Sequence, residues 1–113
     1  MALFQAVANS DYERLRQLLN EGKDPNAVLP FPAPEDFVKQ YSGDLAYYME
    51  KDPGFTVLMF AVFRRDLIAV RYLLAAGATP NRVTKRGRNF ALQFAAELHE
   101  LEIMRALMGI NEN

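Results

Sequence analysis

Two stretches of the chain place their apolar residues in the same order. From Leu3 the sequence runs Leu-Phe-Gln-Ala-Val, meets a polar break, passes Leu15, Leu18 and Leu19, and reaches Gly22 and Asp24-Pro25-Asn26. From Leu58 it runs Leu-Met-Phe-Ala-Val, breaks at Arg65-Asp66, passes Val70, Leu73 and Leu74, and reaches Gly77 and Thr79-Pro80-Asn81. Spacings of three and four put each set on one helix face. Leu58, Ala61 and Val62 therefore line one helix, and Val70, Leu73 and Leu74 the next, with Arg71 and Ala75 turned out. Thr56 suits the N-cap of the first helix, where its hydroxyl satisfies an otherwise orphaned N–H group. Gly22 and Gly77 supply the left-handed residue that ends a helix, and Pro80-Asn81 opens a turn-rich connector.

A third, rougher unit follows. Leu92, Ala95 and Ala96 begin it, His99 and Glu100 fall at the break, and Ile103, Met104, Leu107 and Met108 form its second helix before Gly109. The small residues Ala6, Ala61 and Ala95 are separated by 55 and 34 residues. One period of about 33 residues, lengthened once by an insertion, explains both intervals. The units span about 2–27, 54–82 and 87–111, with the insertion at about 28–53. At 113 residues they make one domain.

In the insertion, Pro30, Pro32 and Pro34 force a stiff, extended lead-in. Pro34 suits the first turn of a helix, with Glu35 and Asp36 favourable at its positive end and Phe37, Val38 and Tyr41 as its apolar stripe. Gly43 is expected to stop that helix, and Asp44 to cap a second carrying Leu45, Tyr48 and Met49 before Asp52-Pro53. Its aromatic residues have two readings, a plug packed onto the repeats or a contribution to partner binding.

The repeated pattern resembles the ankyrin-repeat family, whose units read Gly-x-Thr-Pro-Leu-His-x-Ala-Ala, a break, a helix, and Leu-Leu-x-x-Gly-Ala-Asp-Pro-Asn. Gly54-Phe55-Thr56-Val57-Leu58-Met59-Phe60-Ala61 aligns with the opening. Leu73-Leu74-Ala75-Ala76-Gly77-Ala78-Thr79-Pro80-Asn81 and Leu18-Leu19-Asn20-Glu21-Gly22-Lys23-Asp24-Pro25-Asn26 align with the close. The family's Pro and His are replaced by Val57 and Met59, and by Phe90 and Gln93 in the third unit, whose opening is one residue too long. The resemblance implies an all-α, ankyrin-like array of three helix-turn-helix repeats with a helical insertion between repeats 1 and 2. It implies binding through the hairpins and the concave helix face. At the matching positions Lys85, Arg86 and Arg88 point toward ligands, and Phe63 and Arg64 lie at the exposed end of a concave helix. With Arg82 and the aromatics Phe37, Tyr41, Tyr48 and Phe55, these make up the candidate partner-binding set.

Charge sharpens this picture. Residues 1–53 carry five Lys/Arg against nine Asp/Glu, and residues 54–113 carry eight against five, so a net −1 hides two halves of opposite sign. Residues 82–88 hold four positive charges and no negative one. Such asymmetry marks a directed contact surface, here one suited to an acidic protein partner. No recognition helix or zinc module accompanies it, and the acidic half repels a duplex, so nucleic acid is not expected. There is no membrane-length apolar run and no secretory signal, so a cytoplasmic protein is expected.

The chemistry-bearing residues are few. There is no cysteine, one histidine and two serines, Ser10 and Ser42. No nucleophile elbow, phosphate loop or metal-ligand spacing occurs, and no cofactor is expected. Glu97, Glu100 and Glu102 cluster within two turns, and Glu97 and Glu100 read as a solvated face rather than an acid–base pair. The expectation is a noncatalytic protein-binding module, with a stoichiometric inhibitor of the immunity type as its specific form. Its competitors are self-association through Ile103, Leu107 and Ile110 of the third unit, a nucleic-acid-binding module, and a glutamate-based enzyme.

Overall fold

The computed structural model describes residues 1–87 and 91–109. They form eight helices: α1 (Ala2–Ala8), α2 (Tyr12–Asn20), α3 (Glu35–Val38), α4 (Gly43–Lys51), α5 (Val57–Phe63), α6 (Leu67–Ala75), α7 (Ala91–Glu97) and α8 (Leu101–Leu107). Among the described residues there is no strand, only one antiparallel bridge between Val28 and Thr56. The array measures 42 × 31 × 21 Å.

Each repeat is a helix pair joined by the same turn. Ser10, Arg65 and His99 adopt positive φ of 53, 57 and 58°, and they recur at the 55- and 34-residue spacing of Ala6, Ala61 and Ala95. At each turn the next amide bonds back into the first helix: Asp11 N–H to Ala6 O, Asp66 N–H to Ala61 O, and Glu100 N–H to Ala95 O, at 2.9–3.0 Å. This closes the helix with the 6→1 bond of a Schellman turn, built on side-chain-bearing residues where glycine is usual. Asp11 and Asp66 then cap α2 and α6, accepting the Arg14 and Ala69 amides. Glu100 holds the same place without capping α8 and reaches Arg65 Nε at 3.6 Å instead.

Stacking produces two layers. Helices α1, α5 and α7 pack side by side in one, and α2, α6 and α8 in the other. Helix α5 lies at the centre, and its residues from Val57 to Val62 are all buried. A helix apolar on every side needs cover on every side. Its neighbours α1, α6 and α7 supply three sides, and the insertion supplies the fourth. Thr56 caps α5 as expected, its Oγ1 accepting the Met59 amide at 3.1 Å. The thioether of Met59 accepts the Thr56 amide in return at 3.5 Å, so sulfur closes a capping box at the position where the family carries histidine.

Four expectations are corrected. Gly43, at φ +65°, does not stop the first inserted helix; it is the first residue of α4, with Asp44 inside the first turn rather than at the cap. Helix α3 ends at Val38, so Tyr41, expected on its apolar stripe, lies beyond its end. In α7 the buried residues are Ala91, Phe94 and Ala95, while Leu92 is half-buried and Ala96 exposed. Phe94 shifts the buried face because its ring packs against Phe63 at 4.3 Å. Ile103 and Leu107, assigned above to self-association, are buried within the array; Ile110 lies outside the described residues, as does Phe90.

Candidate partner-binding surface

The insertion leaves and rejoins the array at one place. Leu29 N–H donates to Phe55 O at 2.8 Å and Val57 N–H to Ala27 O at 2.9 Å, clasping its two ends together. Between them the chain folds over the first-helix layer. Phe37 packs its ring 6.2 Å from Phe4 and 5.5 Å from Phe60, and Tyr41 lies 5.5 Å from Phe60. Tyr48 lies 5.9 Å from Phe63 and 5.4 Å from Phe94. Rings of the insertion thus touch α1, α5 and α7 in turn.

The aromatic candidates are therefore largely internal. Phe37 and Phe55 are buried and offer no surface to a partner in this conformation. Tyr41, Tyr48 and Phe63 are half-buried within the ring clusters. Arg64 is exposed but occupied, with Nη2 donating to Ala8 O at 3.1 Å and its guanidinium 5.9 Å from the Phe60 ring centre. The face assigned to ligands by resemblance is where the insertion packs.

The basic candidates lie elsewhere and are held differently. Asp52, at the end of α4, is 1 % exposed. Its carboxylate accepts from Thr84 Oγ1 at 2.7 Å and from the Arg86 amide at 3.2 Å. Lys85 N–H donates to Pro53 O at 2.8 Å, and Arg86 Nε to Lys51 O at 3.0 Å. These bonds fasten the hairpin following α6 to the end of the insertion through backbone and buried groups. The side chains of Arg82, Lys85 and Arg86 remain exposed. Arg88 lies outside the described residues.

Sequence reasoning missed two residues of this edge. Lys51 is exposed, and its carbonyl binds Arg86. Tyr47, 51 % exposed, lies one turn earlier on the same face of α4. The signal was present, since the half-buried Leu45 and Tyr48 and the buried Met49 mark the opposite side of α4, but Asp52's partner lies 32 residues away.

Other polar groups serve the stack. The Tyr12 hydroxyl donates to the Asp66 carboxylate, 3.0 Å from both oxygens, linking α2 to the cap of α6. Burial, with Asp66's hydrogen bond and charge added, holds the Tyr12 phenol above its ordinary pKa. Asn26 Oδ1 accepts the Thr79 amide at 2.7 Å, joining successive hairpins. Glu100 faces Arg65 at 3.6 Å, and Glu97 accepts from Gln93 Nε2 at 3.4 Å. Among the described residues no cluster of three or more metal-ligating side chains exists, and no helix is long and apolar enough to cross a membrane.

A family model for ankyrin repeats, in three copies, matches residues 3–113. The chain belongs to the ankyrin-repeat family. No curated protein matches it. Ankyrin repeats are generally protein–protein interaction modules and typically noncatalytic. In this ankyrin array the helix layer around α5 is covered by the chain's own insertion, while the side chains of Arg82, Lys85 and Arg86 in the hairpin after α6 stay exposed.

Proposed function

We propose that the chain is a noncatalytic binding module that receives an acidic surface of a partner protein on the edge formed by Arg82, Lys85 and Arg86, with Lys51 and Tyr47 beside them. One observation carries this reading: the buried Asp52 carboxylate accepts from Thr84 Oγ1 and the Arg86 amide, which fixes the hairpin backbone. The hairpin's positive side chains are thus displayed by a fixed backbone, and their order is established before any partner arrives. A pre-set surface loses less conformational entropy on binding. Tyr47 adds an amphipathic ring of the kind enriched at binding hot spots. The specific form is a stoichiometric inhibitor of the toxin-neutralising type, supported by the charge polarity of the two halves and the family's noncatalytic character.

The test uses Arg82→Glu with Lys85→Glu, sparing Arg86 because its guanidinium also holds Lys51 O. Partners captured from native lysate by the parent chain are purified, and their association rates with the parent chain and with this variant are measured against salt. Charge reversal at a steered interface slows association and flattens its salt dependence. A partner enzyme blocked at one-to-one stoichiometry supports the inhibitor form. A confirmed partner whose association is indifferent to both reversals removes the edge from the proposal.

A further inference from the structure

The fifth residue of every second helix is an arginine: Arg16 in α2, Arg71 in α6 and Arg105 in α8. They are separated by 55 and 34 residues, the repeat spacing itself. All three side chains are exposed, so burial does not account for their recurrence as it does for Leu15 and Val70 one position earlier. The neighbouring outward positions vary, with Glu13, Ile68 and Glu102 at the second residue and Gln17, Tyr72 and Ala106 at the sixth. Helix propensity is served as well by lysine, glutamine or glutamate and does not select arginine. Helices α2, α6 and α8 pack side by side, and packed helices lie about 8–10 Å apart axis to axis. The arginines therefore form a ladder of that step across the outer face of the second-helix layer, opposite the layer that the insertion covers.

Between the first two rungs lies a crease of about 230 Å³, lined by Arg16, Leu19, Asn20, Tyr72, Ala75 and Ala76. Both of its walls belong to the first two repeats, so it does not arise from where the array ends. Leu19, the Tyr72 ring and the two alanines make it apolar, with the Arg16 guanidinium and the Asn20 amide on the α2 side. Arg64 and Arg65 are tied to Ala8 O and Glu100, whereas among the described residues Arg16 and Arg71 make no hydrogen bond or ion pair. A guanidinium matches a carboxylate with two parallel hydrogen bonds. Glu13 and Glu102 each precede a ladder arginine by three residues, so a continuous polyanion laid on this face meets both signs of charge. Separate carboxylates at the ladder's step meet only the arginines. We propose that the outer face of α2 and α6 is a second docking surface, which takes a segment of a partner protein bearing two carboxylate side chains with an apolar one between them. The carboxylates engage Arg16 and Arg71, and the apolar side chain fills the crease. A helix presents this pattern with acids at i and i+7, about 10.5 Å apart on one face, and an apolar residue at i+3 or i+4. The surface shares no residue with the hairpin edge.

The probe is a synthetic helical peptide with glutamate at i and i+7 and leucine at i+3 and i+4 in an alanine–glutamine background. It is titrated with the full chain by fluorescence anisotropy, beside one peptide with lysine for both glutamates and one with alanine for both leucines. The glutamate peptide should bind, the lysine peptide should not, and loss of the leucines should weaken binding about tenfold. Arg16→Gln and Arg71→Gln keep a good helix former at each place and should each weaken binding about tenfold, with circular dichroism confirming the fold. Ala75→Trp fills the crease and should abolish binding. Arg82→Glu with Lys85→Glu should leave it unchanged, which separates this surface from the hairpin edge. No binding of the glutamate peptide, indifference to both arginine substitutions, or loss in the hairpin variant would each overturn the proposal. So would a single-stranded oligonucleotide bound as tightly through the same arginines.

Discussion

Replacing Asp52 with alanine tests whether the insertion and the basic hairpin are held as one piece. The carboxylate is almost fully buried and accepts hydrogen bonds from Thr84 Oγ1 at 2.7 Å and from the Arg86 amide at 3.2 Å. A hydrogen bond to a charged group contributes about 1.5–3 kcal/mol net. The second bond is long and at the edge of solvent, so the pair contributes about 2–4 kcal/mol rather than the full sum. Thr84 is itself buried, and truncation takes away the carboxylate that accepts its hydroxyl. On a domain of this size the loss corresponds to a Tm lower by roughly 8–20 °C. Urea unfolding followed by circular dichroism gives the stability change, and native-state hydrogen exchange gives its location. The Arg86 amide should exchange faster by more than the global loss explains, since its acceptor is gone. Asp52→Asn keeps one acceptor oxygen and should lose less. If Asp52→Ala unfolds within about 0.5 kcal/mol of the parent and the Arg86 amide stays equally protected, the carboxylate is not what holds the hairpin.

Three further outcomes follow from the packing and the turns. Phe37→Ala removes a ring that touches Phe4, Phe60 and Tyr41 and should destabilise by about 3–5 kcal/mol; a urea midpoint close to the parent's would show that the insertion does not belong to the core. Gly77→Ala should cost about 1–2 kcal/mol, all of it from the backbone, because φ is +103° and an added Cβ meets nothing within 4 Å; a thermal melt with unchanged Tm counts against that φ. Tyr12 keeps its proton to higher pH when folded than when unfolded, because burial and then Asp66 raise its pKa above 10.0. Its contribution is complete below the unfolded pKa and is lost as pH rises through the folded one. Tyr12→Phe should therefore flatten the loss of stability at alkaline pH, and an equally steep decline in the variant speaks against the Asp66 bond.

The repeats were legible because their signals are local. Leu-Leu-x-x-Gly at residues 18–22 and 73–77 encodes an apolar face and its terminator within five positions, and Thr56 lies three residues from the amide it caps. What stayed hidden depends on distant chain. The buried side of α7 is decided by Phe94, whose ring partners Phe63, Phe55 and Tyr48 come from two other segments. Periodicity alone selected Leu92, Ala95 and Ala96, a face rotated toward the open end. The aromatics of the insertion look alike in sequence as plug or as binding element, and only their placement over α1, α5 and α7 distinguishes Phe37 from the exposed Tyr47. The basic run at residues 82–88 was visible as charge, whereas its dependence on Asp52 was not, since nothing near Thr84 in the chain announces an acid 32 residues earlier.

The bridge between Val28 and Thr56 makes the inserted segment topologically dispensable. Its two ends already meet, so a short turn could join the neighbouring repeats, at the loss of the Lys51, Asp52 and Pro53 anchors of the hairpin after α6. Energetically it is obligatory, because excision would bare the rings of Phe4, Phe60 and Phe94 to water at once. A graft of foreign sequence at this point must therefore bring its own apolar cover for the same three helices.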